Sequence, residues 1–251
     1  MTQTFTSPQG RTIAFRRTEG TGPGVVFLGG FMSDMEGTKA LALQAWAEAE
    51  GRAFLRFDYS GHGQSGGAFR DGAIGDWYED ALAAITTLTE GPQILVGSSM
   101  GGWISLLVAR ARPERVAGLV TIAAAPDFTE DLMWASFTPA QRESLLRDGA
   151  IDQPAPPDGS YPITRRLIEE ARDRLVLRSP LPLPGPVRLL HGTADAEVPV
   201  SVALALLGHA GSDDIRLTLV KGADHRFSSP DCLALMLGAV AEVTARLGAA
   251  G

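Results

Sequence analysis

Short apolar runs alternate with stretches of helical spacing along most of the chain. Gly24–Leu28, Ala53–Phe57, Gln93–Val96, Val116–Ile122, Pro186–Leu190 and Ile215–Val220 read as strands, and Ile94-Leu95-Val96 and Val187–Leu190 are almost continuously apolar. Between them, Glu36–Glu50 repeats apolar residues at helical spacing through Ala40, Leu41, Leu43, Trp46 and Ala47. Asp76–Thr89, Ser99–Arg110 and Val200–Gly208 read as further helices, and Pro230–Leu247 as the closing one. Thr4–Ser7 and Thr12–Arg17, joined through Pro8-Gln9-Gly10, open the chain as a strand pair. Strands alternating with helices imply parallel βαβ units and a sheet buried on both faces. The fold class expected is α/β, with a mostly parallel eight-stranded sheet and helices on both sides.

One region breaks the rhythm. From Pro126 to Pro184 no strand signal lies between two sheet strands, only helical pieces, then Pro154, Pro156 and Pro157, then Pro180, Pro182 and Pro184. An insertion of that length in a compact fold is usually functional. Residues 126–184 are therefore expected to form a small helical cap over the open end of a core made of residues 1–125 and 185–251. The charge-free stretch Gly91–Ala109 is broken by Pro92 and four glycines, so it reads as two short elements about a turn rather than a membrane span.

The chain has 251 residues, 45% of them hydrophobic and 20% charged. A net charge of −7 argues against a nucleic-acid partner, because phosphate contacts need clustered cations. Arg165, Arg166, Arg172, Arg174 and Arg178 do gather, but Glu169, Glu170 and Asp173 lie among them, as on a solvated, salt-bridged helix face. The competing reading is a basic rim that attracts anionic substrates. The single cysteine, Cys232, precludes an internal disulfide and sits at the start of an apolar helical stretch, as a buried thiol would. Met1–Arg11 has no apolar core of a secretory leader and no transit peptide is visible, so the expected location is cytoplasmic. No Cys/His cluster suggests a metal, and no cofactor is expected. Oligomeric state is left open.

The chemistry centres on Gly97-Ser98-Ser99-Met100-Gly101, a G-x-S-x-G run that follows an apolar strand and opens a helix. A serine on such a turn is pushed out above the sheet, and the helix N-terminus faces the negative charge that develops there. Ser98 has Val96 and Met100 at the positions where small residues are needed, so Ser99 is the candidate nucleophile. An alcohol needs a base. His225, in Gly222-Ala223-Asp224-His225, follows a strand on the same side of the sheet; His62, His191 and His209 fit less well. The acid that orients the base is expected to be Asp195 in His191-Gly192-Thr193-Ala194-Asp195, with Asp224 and Glu197 as rivals. The oxyanion donors expected are the amides of Met100 and Phe31, the latter in Leu28-Gly29-Gly30-Phe31-Met32, with Met32 as fallback. Met32, Phe128, Met133, Trp134 and Phe137, with Leu132, are candidates for an acyl pocket, or for the cap's own core. Gly61-His62-Gly63-Gln64-Ser65-Gly66 satisfies G-x-G-x-x-G, but more loop follows it and position 86 is Thr86, which excludes a dinucleotide site.

The run Phe57-Asp58-Tyr59-Ser60-Gly61-His62-Gly63-Gln64-Ser65, the serine turn and His191–Asp195 together resemble the α/β-hydrolases over essentially the whole length. More narrowly, Gly37-Thr38-Lys39-Ala40, Gly91–Trp103, Val187–Gly192 and Asp224-His225-Arg226 are similar to the palmitoyl-protein thioesterase family of α/β-hydrolase domain-containing protein 10. That resemblance implies Ser99, Asp195 and His225 as a triad. It also implies small-molecule or acyl-protein esters and thioesters as substrates, as in a family linked to S-acyl thioesters and acyl-glucuronide esters. The function expected is a serine hydrolase working through an acyl-enzyme. The alternatives are a non-catalytic ligand-binding protein on the same fold, or an amidase or carbon–carbon hydrolase with the same triad.

Overall fold

The computed structural model describes residues 2–154 and 159–248. Strands β1 (Gln3–Thr6) and β2 (Thr12–Thr18) form the opening antiparallel pair. They are followed by β3 (Thr21–Leu28), α1 (Thr38–Ala49), β4 (Arg52–Phe57), α2 (Ile74–Leu88), β5 (Gln93–Ser98), α3 (Met100–Ala111) and β6 (Val116–Ile122). The insertion then contributes α4 (Pro139–Asp148), β7 (Ala150–Pro154), β8 (Ser160–Thr164), α5 (Arg165–Ala171) and β9 (Leu181–Pro182). The chain returns through β10 (Val187–Gly192), α6 (Val200–His209), β11 (Ala210–Gly211), β12 (Ile215–Val220) and α7 (Pro230–Gly248). Eight strands form one sheet in the order β1-β2-β4-β3-β5-β6-β10-β12, parallel from β4 onward.

The central strands β5 and β6 are apolar because both their faces are covered. One face carries Leu28, Leu55, Leu95 and Leu119 into a cluster with α2, α3 and the insertion. The other carries Val25, Phe54, Ile94 and Val120 against α1 and α7, where Cys232 is buried. Helix α3 is buried from Met100 through Ala109, packed between the sheet and the insertion. It begins at Met100 rather than Ser99, because Ser99 has a positive φ that no helix accommodates.

The insertion differs from the sequence expectation in containing strands, the short β9 paired with β11 and a longer hairpin. Residues 150–154 and 160–164 pair as an antiparallel hairpin, where no strand was expected. Ala-Ile-Asp-Gln-Pro and Ser-Tyr-Pro-Ile-Thr carry neither a clean alternation nor an apolar run, so their pairing leaves little trace in the pattern. Pro156 and Pro157 lie outside the described residues. Helix α4 starts with a capping box, Thr138 Oγ1 accepting the Gln141 amide at 3.2 Å, and stops at Gly149 with φ 81°. The ends of the insertion are clasped by buried Asp127, whose carboxylate accepts the Val176 and Leu177 amides at 2.8 and 3.0 Å and Arg178 at 2.9 Å. Phe128, Phe137, Leu145, Ile163 and Leu167 join the same cluster as Trp77 and Trp103 of α2 and α3.

All five clustered arginines are paired: Arg165 with Glu169, Arg166 with Asp76, Arg172 with Glu130, Arg174 with Glu170, and Arg178 with Asp127 and Asp131. The cluster is thus a salt-bridged face that ties α5 to α2 and to the start of the insertion, not an unpaired basic rim. Among the described residues no helix is long and apolar enough to cross a membrane.

Candidate active site

Ser99 sits between β5 and α3 at φ 54°, ψ −118°. A non-glycine residue there is strained, and it persists only where the surroundings enforce it. The enforcement is visible in the neighbouring glycines. A Cβ on Gly97 would lie 2.4 Å from the Gly101 carbonyl oxygen, and one on Gly101 would lie 2.1 Å from that of Leu28. The turn closes against the ends of β3 and β6, where the Ser99 amide donates to Ile122 O at 2.9 Å. Gly101→Ala is therefore expected to destabilise the fold by about 3 kcal/mol or more, since only backbone can yield. A thermal melt of that variant within a degree of wild type would contradict this packing.

His225 and Asp195 arrive on loops at the carboxyl ends of β12 and β10. The loops are laced together: Ala194 N donates to Ala223 O at 3.0 Å, and Gly222 N to Thr193 Oγ1 at 2.9 Å. Gly192 permits this approach, because a Cβ there would lie 2.2 Å from Ala223 O. Lys39, whose amine donates to Arg226 O at 2.5 Å, anchors the histidine loop from α1.

The three side chains meet. His225 Nδ1 lies 2.8 Å from Asp195 Oδ2, and His225 Nε2 lies 3.1 Å from Ser99 Oγ. Asp195 has no side-chain exposure, and its Oδ1 accepts the Glu197 and Val198 amides at 2.9 and 2.8 Å. A carboxylate held by two amides can only accept from the imidazole. Nδ1 therefore carries the proton and Nε2 is left to accept from the Ser99 hydroxyl. The rivals fall elsewhere: Asp224 Oδ1 accepts the Phe227 amide at 3.1 Å, and Glu197 is 70% exposed with its Oε2 at 3.5 Å from His225 Nε2. His191 is buried with its ring donating to Val198 O at 2.9 Å, so it braces the Asp195 loop; His209 donates to Ser179 O.

The Gly29-Gly30-Phe31 turn lies beside the serine, since a Cβ on Gly30 would come 3.4 Å from that of Ser99. Met32, the fallback oxyanion donor, is already committed: its amide donates to His62 Nε2 at 3.2 Å. The Phe31 amide has no acceptor among the described residues, and that of Met100 opens α3, where a first-turn N–H has no partner within the helix.

The expected pocket residues divide. Phe31 packs edge-on against Phe69, Phe128, Trp77 and Tyr161, at centroid distances of 4.9 to 5.8 Å, and Phe128 in turn meets Trp103. Met32 is half exposed next to this wall. Met133 packs on the same cluster. Trp134 is held between Arg142 and Arg172, each guanidinium 5.1 Å from its ring, and edge-on against buried Phe137, and both pack on the same cluster. Tyr161, which the sequence reading missed, adds a phenol whose pKa is raised by burial and then by the Glu197 charge. Nothing in Ser-Tyr-Pro-Ile-Thr marks it as a site residue. No group of three or more His, Cys, Asp or Glu placed to hold a metal occurs among the described residues.

Residues 23–149 match the family model described as serine aminopeptidase, S33. The chain is 36% identical over 241 residues to the rat protein named palmitoyl-protein thioesterase ABHD10, mitochondrial, covering 96% of this chain and 81% of that one. Its structure superposes with a TM-score of 0.92 on a putative hydrolase from Agrobacterium vitis S4, at 41% identity and covering 97% and 98% of the two chains. The mouse α/β-hydrolase domain-containing protein 10 also gives 0.92, at 34% identity over 98% of this chain and 99% of that one. The expected cytoplasmic location is corrected by these matches, for the rat, bovine and human relatives are all named mitochondrial.

Proposed function

The chain belongs to the α/β-hydrolases, in the family of the palmitoyl-protein thioesterases it matches, and on that premise we propose that Ser99 cleaves acyl thioesters and esters through an acyl-enzyme. The chain is an esterase or thioesterase-type hydrolase; the proposal adds the residues and their roles. The observation that carries it is the unbroken relay from Asp195 through His225 to Ser99 Oγ, at 2.8 and 3.1 Å.

His225 Nε2 takes the hydroxyl proton as Ser99 Oγ attacks the acyl carbon. The imidazolium that forms faces the Asp195 carboxylate, which stabilises it without taking its proton. The oxyanion accepts from the amides of Met100 and Phe31 at the positive end of α3. His225 then protonates the departing thiolate or alkoxide. Water, deprotonated by the same nitrogen, attacks the ester, and Ser99 leaves with its proton restored.

Residues 126–184 act in this reading as a lid, with Phe128, Met133 and Tyr161 beside Phe31 and Met32 forming an apolar approach to the serine. That wall suits an acyl chain, the group named in the thioesterase relatives. The test is a panel of S-acyl and p-nitrophenyl substrates of graded chain length, together with labelling by a fluorophosphonate probe. Labelling at Ser99 and turnover of thioesters are expected. A protein that binds acyl compounds but is neither labelled nor active would be a binding module on this fold; faster turnover of amides than of thioesters would move the reading to an amidase.

A further inference from the structure

The glycine-rich run Gly61–Gly66 carries a buried histidine, His62, whose ring reaches the Gly29–Met32 turn beside Ser99. We propose that His62 is the positioning residue of the oxyanion hole, its Nε2 lone pair holding the Met32 amide so that the neighbouring Phe31 amide faces Ser99. This rests on the serine-hydrolase reading above.

The ring is fixed on every side. It packs edge-on against Tyr59, Phe69 and Trp77 at centroid distances of 5.6, 5.2 and 5.0 Å. Its Nδ1 lies 3.2 Å from Ser60 O, which also accepts Trp77 Nε1–H at 3.1 Å. With Nδ1 donating, Nε2 is the acceptor, and the Met32 amide at 3.2 Å is its donor. Ser60 is pinned in turn. Its amide and hydroxyl donate to Asp80 Oδ2 at 2.9 and 2.6 Å, and Asp80 Oδ1 accepts from Arg11 at 2.6 Å. A chain of hydrogen bonds thus runs from Arg11 through Asp80, Ser60 and His62 to the turn beside Ser99.

The turn needs such a hold. Met32 has φ 56°, a conformation that costs a non-glycine residue about 1 kcal/mol or more. The same loop grips the turn a second time, where Asp58 Oδ1 accepts the Met35 amide at 2.6 Å while its Oδ2 accepts that of Gln64 at 2.8 Å. Gly63 leaves room for that carboxylate, which a Cβ would meet at 2.2 Å. Burial lowers the His62 pKa, against the opposing pull of Ser60 O and the Asp80 charge, so the ring stays neutral and keeps its lone pair. His62 thus holds the Phe31–Met32 peptide plane, while the Ser33 amide, donating to Gly30 O at 3.1 Å, holds the adjoining Gly30–Phe31 plane that carries the Phe31 N–H, so the donor is in place before substrate arrives.

Three variants test this: His62→Phe, which fills the aromatic cage without an acceptor; His62→Gln, whose amide oxygen reaches the Nε2 position; and His62→Asn, of the same chemistry but one carbon short. In His62→Phe, kcat on a p-nitrophenyl ester is expected to fall about 30-fold with KM within about 2-fold, as for a loosened oxyanion donor. Affinity for a trifluoromethyl ketone, which forms an oxyanion on Ser99, should fall in parallel. His62→Gln should recover most of the loss and His62→Asn should not. Should His62→Phe fail to fold by thermal melt, the Gln and Asn pair carries the same comparison. An unchanged kcat in His62→Phe, equal losses in Gln and Asn, or a loss confined to KM would each overturn the proposal. If instead wild type is not labelled at Ser99 by the fluorophosphonate, it is the serine reading that fails.

Discussion

Alanine at position 99 is expected to lower kcat on acyl thioesters and esters by about 10⁵-fold or more, with KM little changed. The magnitude follows from what the hydroxyl does. It is the only group in the relay able to form the acyl bond, and without it His225 has nothing to deprotonate but water. The amides of Met100 and Phe31 survive the change, so with the oxyanion role proposed for them a small residual rate is expected to remain. The fold should survive too: alanine keeps the Cβ, and the strained φ of 54° is imposed by Gly97, Gly101 and the Ile122 contact rather than by the hydroxyl. Ser98 is the control. It ends β5, one position before the turn, and Ser98→Ala is expected to keep activity within about 3-fold. Steady-state kinetics with a matched thermal melt decide the matter. Retained turnover in Ser99→Ala at wild-type stability would remove the serine from the mechanism.

The expectation that Ser99 would face His225 was legible because each element around it leaves a local mark. An apolar strand, two glycines at fixed offsets and an apolar helix are all read from neighbours in sequence, and so is a histidine placed just past a strand. The eight-stranded sheet was legible for the same reason. The hairpin 150–154/160–164 was not, because its strands are short, partly polar and stabilised by what they pack against rather than by their own pattern. Asp127 was equally silent: a single aspartate gives no sign that it will accept two amides 49 and 50 residues away. His62 shows the intermediate case. Its motif was visible, but its partner, the Met32 amide, lies in a turn that only the folded chain brings beside it. Trp134 and Phe137 were ambiguous for a related reason, since an aromatic side chain in an insertion reads alike whether it faces a ligand or packs, as Trp134 does, between two arginines and against a hydrophobic cluster.

The second large effect concerns the acid. Asp195→Asn is expected to lower kcat about 10⁴-fold while leaving the loop in place, the loss known when the aspartate of a serine-protease triad is made an amide. The side chain has two separate duties here. Oδ1 accepts the Glu197 and Val198 amides, and an asparagine carbonyl can continue to do so. Oδ2 accepts from His225 Nδ1, and an asparagine NH₂ in its place becomes a second donor facing a donor. The imidazole relieves this by moving its proton to Nε2. It then presents N–H rather than a lone pair to Ser99 Oγ, and cannot act as the base. Loss of activity with an intact melting curve is therefore the signature of a wrong tautomer rather than of a collapsed loop. The rivals supply the contrast. Asp224→Asn keeps an acceptor for the Phe227 amide, and Glu197→Gln alters an exposed group, so each is expected to stay within about 5-fold of wild type. A loss in either rival that matched the loss in Asp195→Asn would mean that the acid of the relay had been assigned to the wrong carboxylate.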